Sequence, residues 1–424
     1  MFSVTARARR KMIALVSVAA LSLAITACGG ATGGSVAPNL TSLSTIPDSD
    51  PFVLKAMAAK VLNTELDVNA LAPELQRVLM GGSVPLTAEQ HEVFEDCMTK
   101  TECETGQGAY TLALMSDLDH SYWSQARAEM TSFAIKSGKI SRIIYMDSGP
   151  DLQRHLMNWR IAIAQGVDII VPWLNTVGNQ VGPVVKQAVA AGIAVVNGIN
   201  LPAAAVAEQL SGRIKLGLCG MWESAAPRLK EHLQKKGSDL TYAMFTGIPG
   251  NAYAPTWQPC AKDALDAAGF RQVYEGTTDW SPQGTVQAAS ALRASGKAPG
   301  LIAYDESATD FINAYTAAGD KGVPTIALSG STTLGTLQAV ERARLGGFDA
   351  DVFLMSGQAW INAAAVAVGI QIKDGFEPSS DLIVYPMGIA SADEAIKQLD
   401  LSLPEAALNG VLLDPADQVA VLNN

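Results

Sequence analysis

Short apolar runs alternate with longer amphipathic stretches from Tyr110 onward. Runs such as YTLALM (110–115) and VDIIVP (167–172) are almost continuous in apolar residues, as expected of strands that are covered on both faces. The first three amphipathic stretches end at Gly138, Gly166 and Gly192. Glycine is favoured directly after a helix, so these stretches are predicted to be helices. Strands that alternate with helices predict βαβ crossovers and parallel sheets.

The loop at residues 200–213 divides four of these strand–helix units from the rest. About 370 residues follow the first 50, which is more than one hydrophobic core usually supports. The pattern predicts an α/β fold of two doubly wound parallel-sheet lobes, residues 109–213 and residues 214–356. Residues 51–108 carry apolar positions at three- and four-residue spacing, which predicts a helical extension without visible chemistry.

The chain begins with four basic residues between positions 7 and 11, followed by the apolar run Met12–Ala27. This run is shorter than the ~20 residues that span a membrane, and its flanks indicate an export signal. Its end, Ile25–Cys28, resembles the lipobox of bacterial lipoproteins. The resemblance implies a signal peptide at residues 1–28, a lipid on Cys28 and an extracytoplasmic, membrane-anchored protein. An ordinary signal peptide with an incidental cysteine is the alternative.

Residues 29–50 are rich in Gly, Ser, Thr and Pro, a composition that predicts a flexible tether. The lipid is then the expected contact with the membrane. Once the four basic signal residues are set aside, 26 Lys and Arg stand against 41 Asp and Glu, a net charge of −15. Such an acidic chain repels nucleic acid and anionic headgroups, so neither is expected as a partner.

Four cysteines follow the lipobox, at Cys97, Cys103, Cys219 and Cys260. An even number of cysteines in an exported protein indicates disulfides. Closeness in sequence favours a Cys97–Cys103 pair, which leaves Cys219 for Cys260. Buried free thiols and other pairings remain open.

Four segments, at residues 114–130, 162–196, 245–270 and 301–319, resemble the sugar-type periplasmic binding proteins of ABC transporters, the ribose- and galactose-binding group. The most specific is AIAQGVDIIVP…VVKQAVAAGIAVV within residues 162–196. The likeness covers residues 109–385. It implies a type I fold whose lobes are joined by a hinge of three crossings, so that residues 357–385 return to the first lobe while the C-terminal segment belongs with the second. It further implies a monomer that closes on a solute and docks on an ABC transporter permease.

The resemblance and the strand ends indicate where a solute binds. In the family, the turn after the first strand carries a polar residue and two aromatics that stack on a sugar; here Tyr122 and Trp123 take the aromatic positions, near Asp119 and His120. Tryptophans that follow strands are further candidates, although core packing is the alternative for each. These are Trp173, Trp257 and Trp280. The polar candidates, for which loop capping is the alternative, are Asn175, Asn197, Asn200, Asn251, Asp279, Tyr304, Asp305 and Ser329.

The candidate loops differ from ribose-type sites in their charge. Those sites usually present arginines, including one where Asn200 stands and others where Pro255 and Trp257 stand. An anionic ligand that is buried without a cation is strongly penalised. A neutral solute, most simply a sugar, is therefore expected, with a cationic or aromatic amine as the alternative.

An enzyme is the principal rival class, because one fold can host many functions. The sequence contains no G-x-S-x-G, H-E-x-x-H or G-x-x-x-x-G-K-[ST] motif, and its four histidines are scattered without ligand spacing. We therefore expect no catalysis, no cofactor and no metal. A sensor that docks on a chemoreceptor or a receptor kinase uses the same closing motion, so it remains an alternative to transport.

Overall fold

Strands and helices alternate through both lobes. The computed structural model describes residues 44–117, 121–174, 178–199, 201–330 and 332–423, all within one compact unit. The strands are β1 (Glu102–Glu104), β2 (Tyr110–Ser116), β3 (Ile140–Asp147), β4 (Ile169–Pro172), β5 (Ala194–Val195), β6 (Ile214–Leu216), β7 (Thr241–Thr246), β8 (Arg271–Thr277), β9 (Leu301–Tyr304), β10 (Thr325–Leu328), β11 (Val352–Met355), β12 (Ile383–Tyr385) and β13 (Ile389–Ser391). The helices are α1 (Pro51–Lys60), α2 (Pro73–Gly82), α3 (Ala88–Thr99), α4 (Ser121–Ser137), α5 (Leu152–Gln165), α6 (Gly182–Ala190), α7 (Ala204–Ala207), α8 (Leu218–Lys236), α9 (Ala254–Ala267), α10 (Pro282–Ala294), α11 (Thr309–Ala317), α12 (Leu334–Leu345), α13 (Ile361–Lys373), α14 (Ala392–Ile396) and α15 (Pro415–Asn423).

The first lobe is built on a sheet with strand order β1–β3–β2–β4–β5. Consecutive strand residues point to opposite sides of the sheet. Because both kinds of position are apolar here, helices cover both faces. Leu112 and Leu114 pack towards α4 and α13, whereas Ala113 and Met115 pack towards α5 and α6. The lobe is therefore doubly wound, as the near-continuous apolar strands predict.

The second lobe has strand order β13–β11–β10–β9–β7–β8. Tyr242 and Met244 face α8 and α9, while Ala243 and Phe245 face α10, α11 and α12. Every pair in this sheet is parallel except β11 with β13. Since the carboxyl ends of parallel strands meet at one edge, each lobe collects its loops for a ligand there.

Three segments connect the lobes. Strands β6 and β12 lie side by side in parallel, and the Gly217 N–H donates to the Tyr385 carbonyl at 2.7 Å. The third connection, residues 356–360, leads from β11 to α13, which packs against α4 and β4 of the first lobe. These segments form the hinge between the lobes.

The helical extension, α1 to α3, packs on the first lobe through α2 and α3. A disulfide joins Cys97 to Cys103 in this region, and a second one joins Cys219 to Cys260 between α8 and α9. They are the two pairs that sequence distance favours. None of the helices in the described ranges is both long and apolar enough to cross a membrane.

Two details differ from the sequence expectations. Both main sheets carry an antiparallel edge strand, β1 and β13, which pair with β3 and β11; three-residue strands are too short to show a clear pattern. The apolar run IKLGLC (214–219) has the pattern predicted for a strand along its whole length, but β6 ends at Leu216 and Leu218 already begins α8. Continuity of apolar residues does not distinguish a strand from a buried helix start.

Candidate functional site

The first lobe contributes an aromatic cluster. Tyr122 and Trp123 lie in the first turn of α4, and Trp173 directly follows β4. The rings of Tyr122 and Trp123 meet edge to face with centroids 4.6 Å apart, and Trp123 lies 4.5 Å from Trp173. Such pairs are favourable beyond the area they bury. The cluster is nearly closed to water, since Tyr122 and Trp123 are each 4% exposed.

Asn362 of α13 holds this cluster in place, and the sequence analysis did not select it. Its Oδ1 accepts hydrogen bonds from Trp173 Nε1 at 2.8 Å and from the Ile199 N–H at 3.0 Å. Its Nδ2 lies 3.4 Å from the Tyr122 hydroxyl. Asn362 is fully buried in the apolar helix INAAAVAVGI. A lone amide in such a helix is the signal that could have revealed it, because buried amides need partners.

The second lobe contributes a carboxylate that fixes two tryptophans. Asp305 follows β9, and its Oδ2 accepts from Thr246 Oγ1 at 2.5 Å and from Trp257 Nε1 at 3.0 Å. Its Oδ1 accepts from Trp280 Nε1 at 3.0 Å. The Trp280 indole lies against Gly247, where a Cβ would come within 2.1 Å of the ring. Only glycine at position 247 permits this approach.

Burial perturbs the two neighbouring acids of this lobe. It raises the pKa of Asp305 to about 6, although hydrogen bonds from Thr246 and the two tryptophans partly oppose the shift. Burial, and secondly the charge of Asp305, raise the pKa of Glu306 to about 8. Within the described residues the Glu306 carboxylate accepts from the Ser307 N–H and from no side chain. Among the described residues, Glu306, unlike Asp305, therefore has hydrogen-bonding capacity that no side chain uses.

Groups from both lobes face each other at the carboxyl ends of the strands. Burial is the main cause that raises the pKa of Tyr122, and the charge of Glu306 across the cleft adds to it. The pKa of Tyr253 is raised by burial first and then by Asp305, Tyr122 and Glu306. The Tyr253 hydroxyl donates to the Ser329 carbonyl. These side chains of the two lobes therefore lie close enough to influence one another.

Several predicted residues already have partners within the protein. The Asn251 side chain accepts from the backbone N–H groups of Tyr253 and Ala254 and so holds the start of α9. The Tyr304 hydroxyl lies 2.9 Å from Thr278 Oγ1, on the α10 side of the sheet. The Asn197 side chain bonds Ile214 in the first crossing between the lobes. The predictions at Cys28, Asp119, His120, Asn175 and Asn200 lie outside the described residues.

The charges that act inside the cleft are acidic. In the described part of the chain, the side-chain charges that shift the pKa values of Tyr122, Tyr253, Asp305 and Glu306 include no lysine or arginine. Across the same ranges, no group of three His, Cys, Asp or Glu side chains is placed to hold a metal ion. An anion bound beside these four groups would therefore find no lysine or arginine among the charges that act on them.

Two α/β lobes that are joined by three hinge crossings, with aromatic and acidic side chains at their strand ends, have the architecture of a two-lobed solute-binding protein. The model of the periplasmic binding protein domain matches residues 113–371, more than half of the chain. The chain belongs to this family of extracytoplasmic binding proteins, which are transport components and not enzymes.

Three solved structures with a similar fold each hold a sugar or a polyol. A solute-binding protein from Bacillus halodurans C-125 with bound myo-inositol has a TM-score of 0.56 and 16% identity, over 69% of this chain and 98% of its own. A Mycobacterium smegmatis protein in complex with β-D-fucofuranose has a TM-score of 0.55 and 16% identity, over 69% of this chain and 94% of its own. The periplasmic binding protein of the arabinose ABC transporter from Shewanella sp. ANA-3, bound to L-arabinofuranose, has a TM-score of 0.57 and 16% identity, over 68% of this chain and 94% of its own. At this identity the likeness concerns the fold. No curated protein matches the sequence.

Proposed function

We propose that this chain captures a small neutral solute, most simply a sugar or polyol, and delivers it to an ABC importer by hinge closure. The observation that carries the proposal is the aromatic cluster of Tyr122, Trp123 and Trp173 at the carboxyl ends of the first lobe's strands, with Asp305 and Glu306 following β9 of the second lobe. A solute between them touches both lobes and so favours the closed form. The permease then recognises that form.

The chemistry of the cleft suits a hydroxyl-rich ring. Aromatic faces at Tyr122 and Trp123 can cover the apolar face of a sugar at little entropic cost. The Glu306 carboxylate can accept from two hydroxyls, while Asp305 is occupied in holding Trp257 and Trp280. The structural neighbours that hold myo-inositol or furanose sugars support this choice of solute class.

The same proposal includes the anchor. Lipid on Cys28 would hold a monomer at the membrane, and residues 29–50 would give it reach towards the permease. A Cys28→Ser variant is expected to appear in the soluble fraction of fractionated cells. Retention of this variant in the membrane fraction would contradict the anchor.

A cationic solute is the second candidate, and Glu306 is the observation that favours it. A carboxylate in a cleft without a nearby lysine or arginine can be neutralised by a proton or by a ligand ammonium group. Burial and the charge of Asp305 raise the pKa of Glu306 to about 8, which favours the protonated form in the solute-free protein. An ammonium ligand would displace this proton, whereas a neutral sugar need not.

Calorimetry after a thermal-shift screen separates the two candidates. Matched pairs such as D-glucose with D-glucosamine are screened, since a bound solute stabilises the folded state. Hits are titrated in two buffers of different ionisation enthalpy, with Glu306→Gln and the control Asp381→Asn at an exposed aspartate. Neutral sugars without proton release support the main proposal. Amine hits with proton release that Glu306→Gln abolishes support the second, and failure of all sugars, polyols and amines contradicts both.

A further inference from the structure

A segment near the C-terminus forms an additional connection between the lobes, beside the three crossings. We call residues 405–409 the strap. The backbone N–H groups of Leu334 and Gly335, at the start of α12 in the second lobe, donate to the carbonyls of Ala407 and Glu405 at 2.7 and 2.9 Å. The Asn409 N–H donates to the Thr332 carbonyl at 2.9 Å. The strap is therefore bonded to the second lobe along its length.

The same strap is bonded to the first lobe through one side chain. Gln125 of α4 is fully buried. Its Nε2 donates to the Ala406 carbonyl at 3.0 Å, and its Oε1 accepts from the Leu408 N–H at 2.8 Å. Gln418 of α15 donates to the same Oε1 at 2.7 Å and to the Leu408 carbonyl at 2.9 Å. Gln125 thus binds the strap through both the nitrogen and the oxygen of its side-chain amide.

Both attachment points lie at the cleft. Gln125 is one turn beyond Tyr122, and Leu334 begins the helix that follows the carboxyl end of β10. When the lobes rotate apart, the path between these two points lengthens. Hydrogen bonds of 2.7 to 3.0 Å weaken steeply beyond about 3.5 Å. Opening must therefore break the bonds to one lobe or stop when they are stretched.

We propose that the strap is a latch that limits how far the cleft opens, and that Gln125 is its positioning residue on the first lobe. The latch goes beyond the proposed function, because it concerns the motion of the lobes and not the solute. The strap itself, residues 405–409, lies outside the matched family domain, residues 113–371. The chain beyond the strap is held on the first lobe as well, since the Leu412 N–H donates to Glu129 Oε1 at 2.6 Å.

Distances between spin labels on the two lobes test the latch without any ligand. Labels at Gln153 on α5 and Asn313 on α11 occupy exposed helix positions in the first and second lobe. The variants are Gln125→Ala and, from the other end of the same hydrogen bond, Gln418→Ala. The control is Gln107→Ala, which removes a comparable bond to the Ile135 carbonyl within the first lobe.

The latch predicts one narrow distance distribution for the wild type and for Gln107→Ala. Gln125→Ala is expected to add a population at longer distance, and Gln418→Ala a smaller one. If Gln125→Ala does not fold, as judged by circular dichroism, Gln418→Ala decides. Unchanged distributions in the folded variants would overturn the latch, and so would an equal change in Gln107→Ala. Since no solute is used, failure of the sugar assignment leaves this result unaffected.

Discussion

Replacing Asp305 by asparagine should destabilise the protein much more at low pH than at high pH. The carboxylate accepts three hydrogen bonds on two oxygens, from Thr246, Trp257 and Trp280. Even when it is protonated, the carboxyl keeps a hydroxyl oxygen that can accept, whereas the amide nitrogen of asparagine only donates, so at least one donor loses its partner in Asp305→Asn. The Trp257 indole is fully buried. A buried donor without a partner costs about 1–3 kcal/mol. This is the loss in free energy of unfolding that we expect from Asp305→Asn at a pH where Asp305 is uncharged.

Charge adds an opposing effect that depends on pH. Burial raises the pKa of Asp305 from 3.8 to about 6, a shift of roughly 2 units or about 3 kcal/mol. The wild type therefore has the full stability of this group below its unfolded pKa and loses it as the pH rises through about 6. Asparagine does not titrate and escapes this loss. The destabilisation should thus shrink by about 3 kcal/mol from acid to alkaline pH. Removal of the Asp305 charge also relieves Glu306, which acts in the same direction.

Urea unfolding between pH 4 and pH 8, followed by far-ultraviolet circular dichroism, measures this difference. Asp381→Asn, at an exposed aspartate, is the matched control and should show a flat difference from the wild type. An equal loss for Asp305→Asn at both ends of the pH range would refute the argument. The carboxylate would then carry no cost of burial, and its role as the anchor of Trp257 and Trp280 would need another basis.

Three further outcomes are expected. Trp123→Ala should raise the dissociation constant of the solute found by the screen about tenfold or more in calorimetry, because an aromatic face is lost. The control is Trp159→Ala, in the core of the same lobe. It should lower stability but leave the dissociation constant of the folded protein unchanged. Burial lowers the pKa of His155 to about 4. The stability that its neutral form contributes is therefore fully present above the unfolded pKa of about 6.5. This stability is lost as the pH falls through about 4. His155→Leu should therefore remove about 3 kcal/mol of acid destabilisation between these pH values in urea unfolding. Replacement of both Cys219 and Cys260 by alanine should lower the free energy of unfolding by about 4 kcal/mol, since the disulfide closes a loop with a separation of 41 residues.

The sequence reveals the sheets well because the signal is local. Strands such as β2 and β7 are apolar on both faces, and the glycines that end the first helices take φ values that favour glycine: 66° at Gly138, 65° at Gly166 and 81° at Gly192. The edge strand β1 is not predicted by this apolar pattern, since only Cys103 of its three residues is buried. Its place depends on pairing with β3 and not on its own pattern.

The site is predictable only in part, because its partners come together through tertiary contacts. Tyr122 and Trp123 can be found from their position after a strand. Asn362 cannot be joined to Trp173 by sequence, since 189 residues separate them. The same holds for Gln125 and the strap, which are separated by 283 residues at Leu408. Composition and spacing identify the side chains that can bind a solute, but not those that hold them.

Hydrogen-bond direction decides which of the predicted residues are available to a solute. The indole N–H groups of Trp173, Trp257 and Trp280 all donate to protein acceptors, so these rings can offer a solute only their faces and edges. Asp305 is occupied by the donors around it, so that of these two described acids Glu306 has the spare acceptor capacity. Selectivity should then depend on aromatic surface and one carboxylate of raised pKa. A solute that presents an apolar face on one side and hydroxyl or ammonium donors on the other satisfies both, whereas an anion satisfies neither.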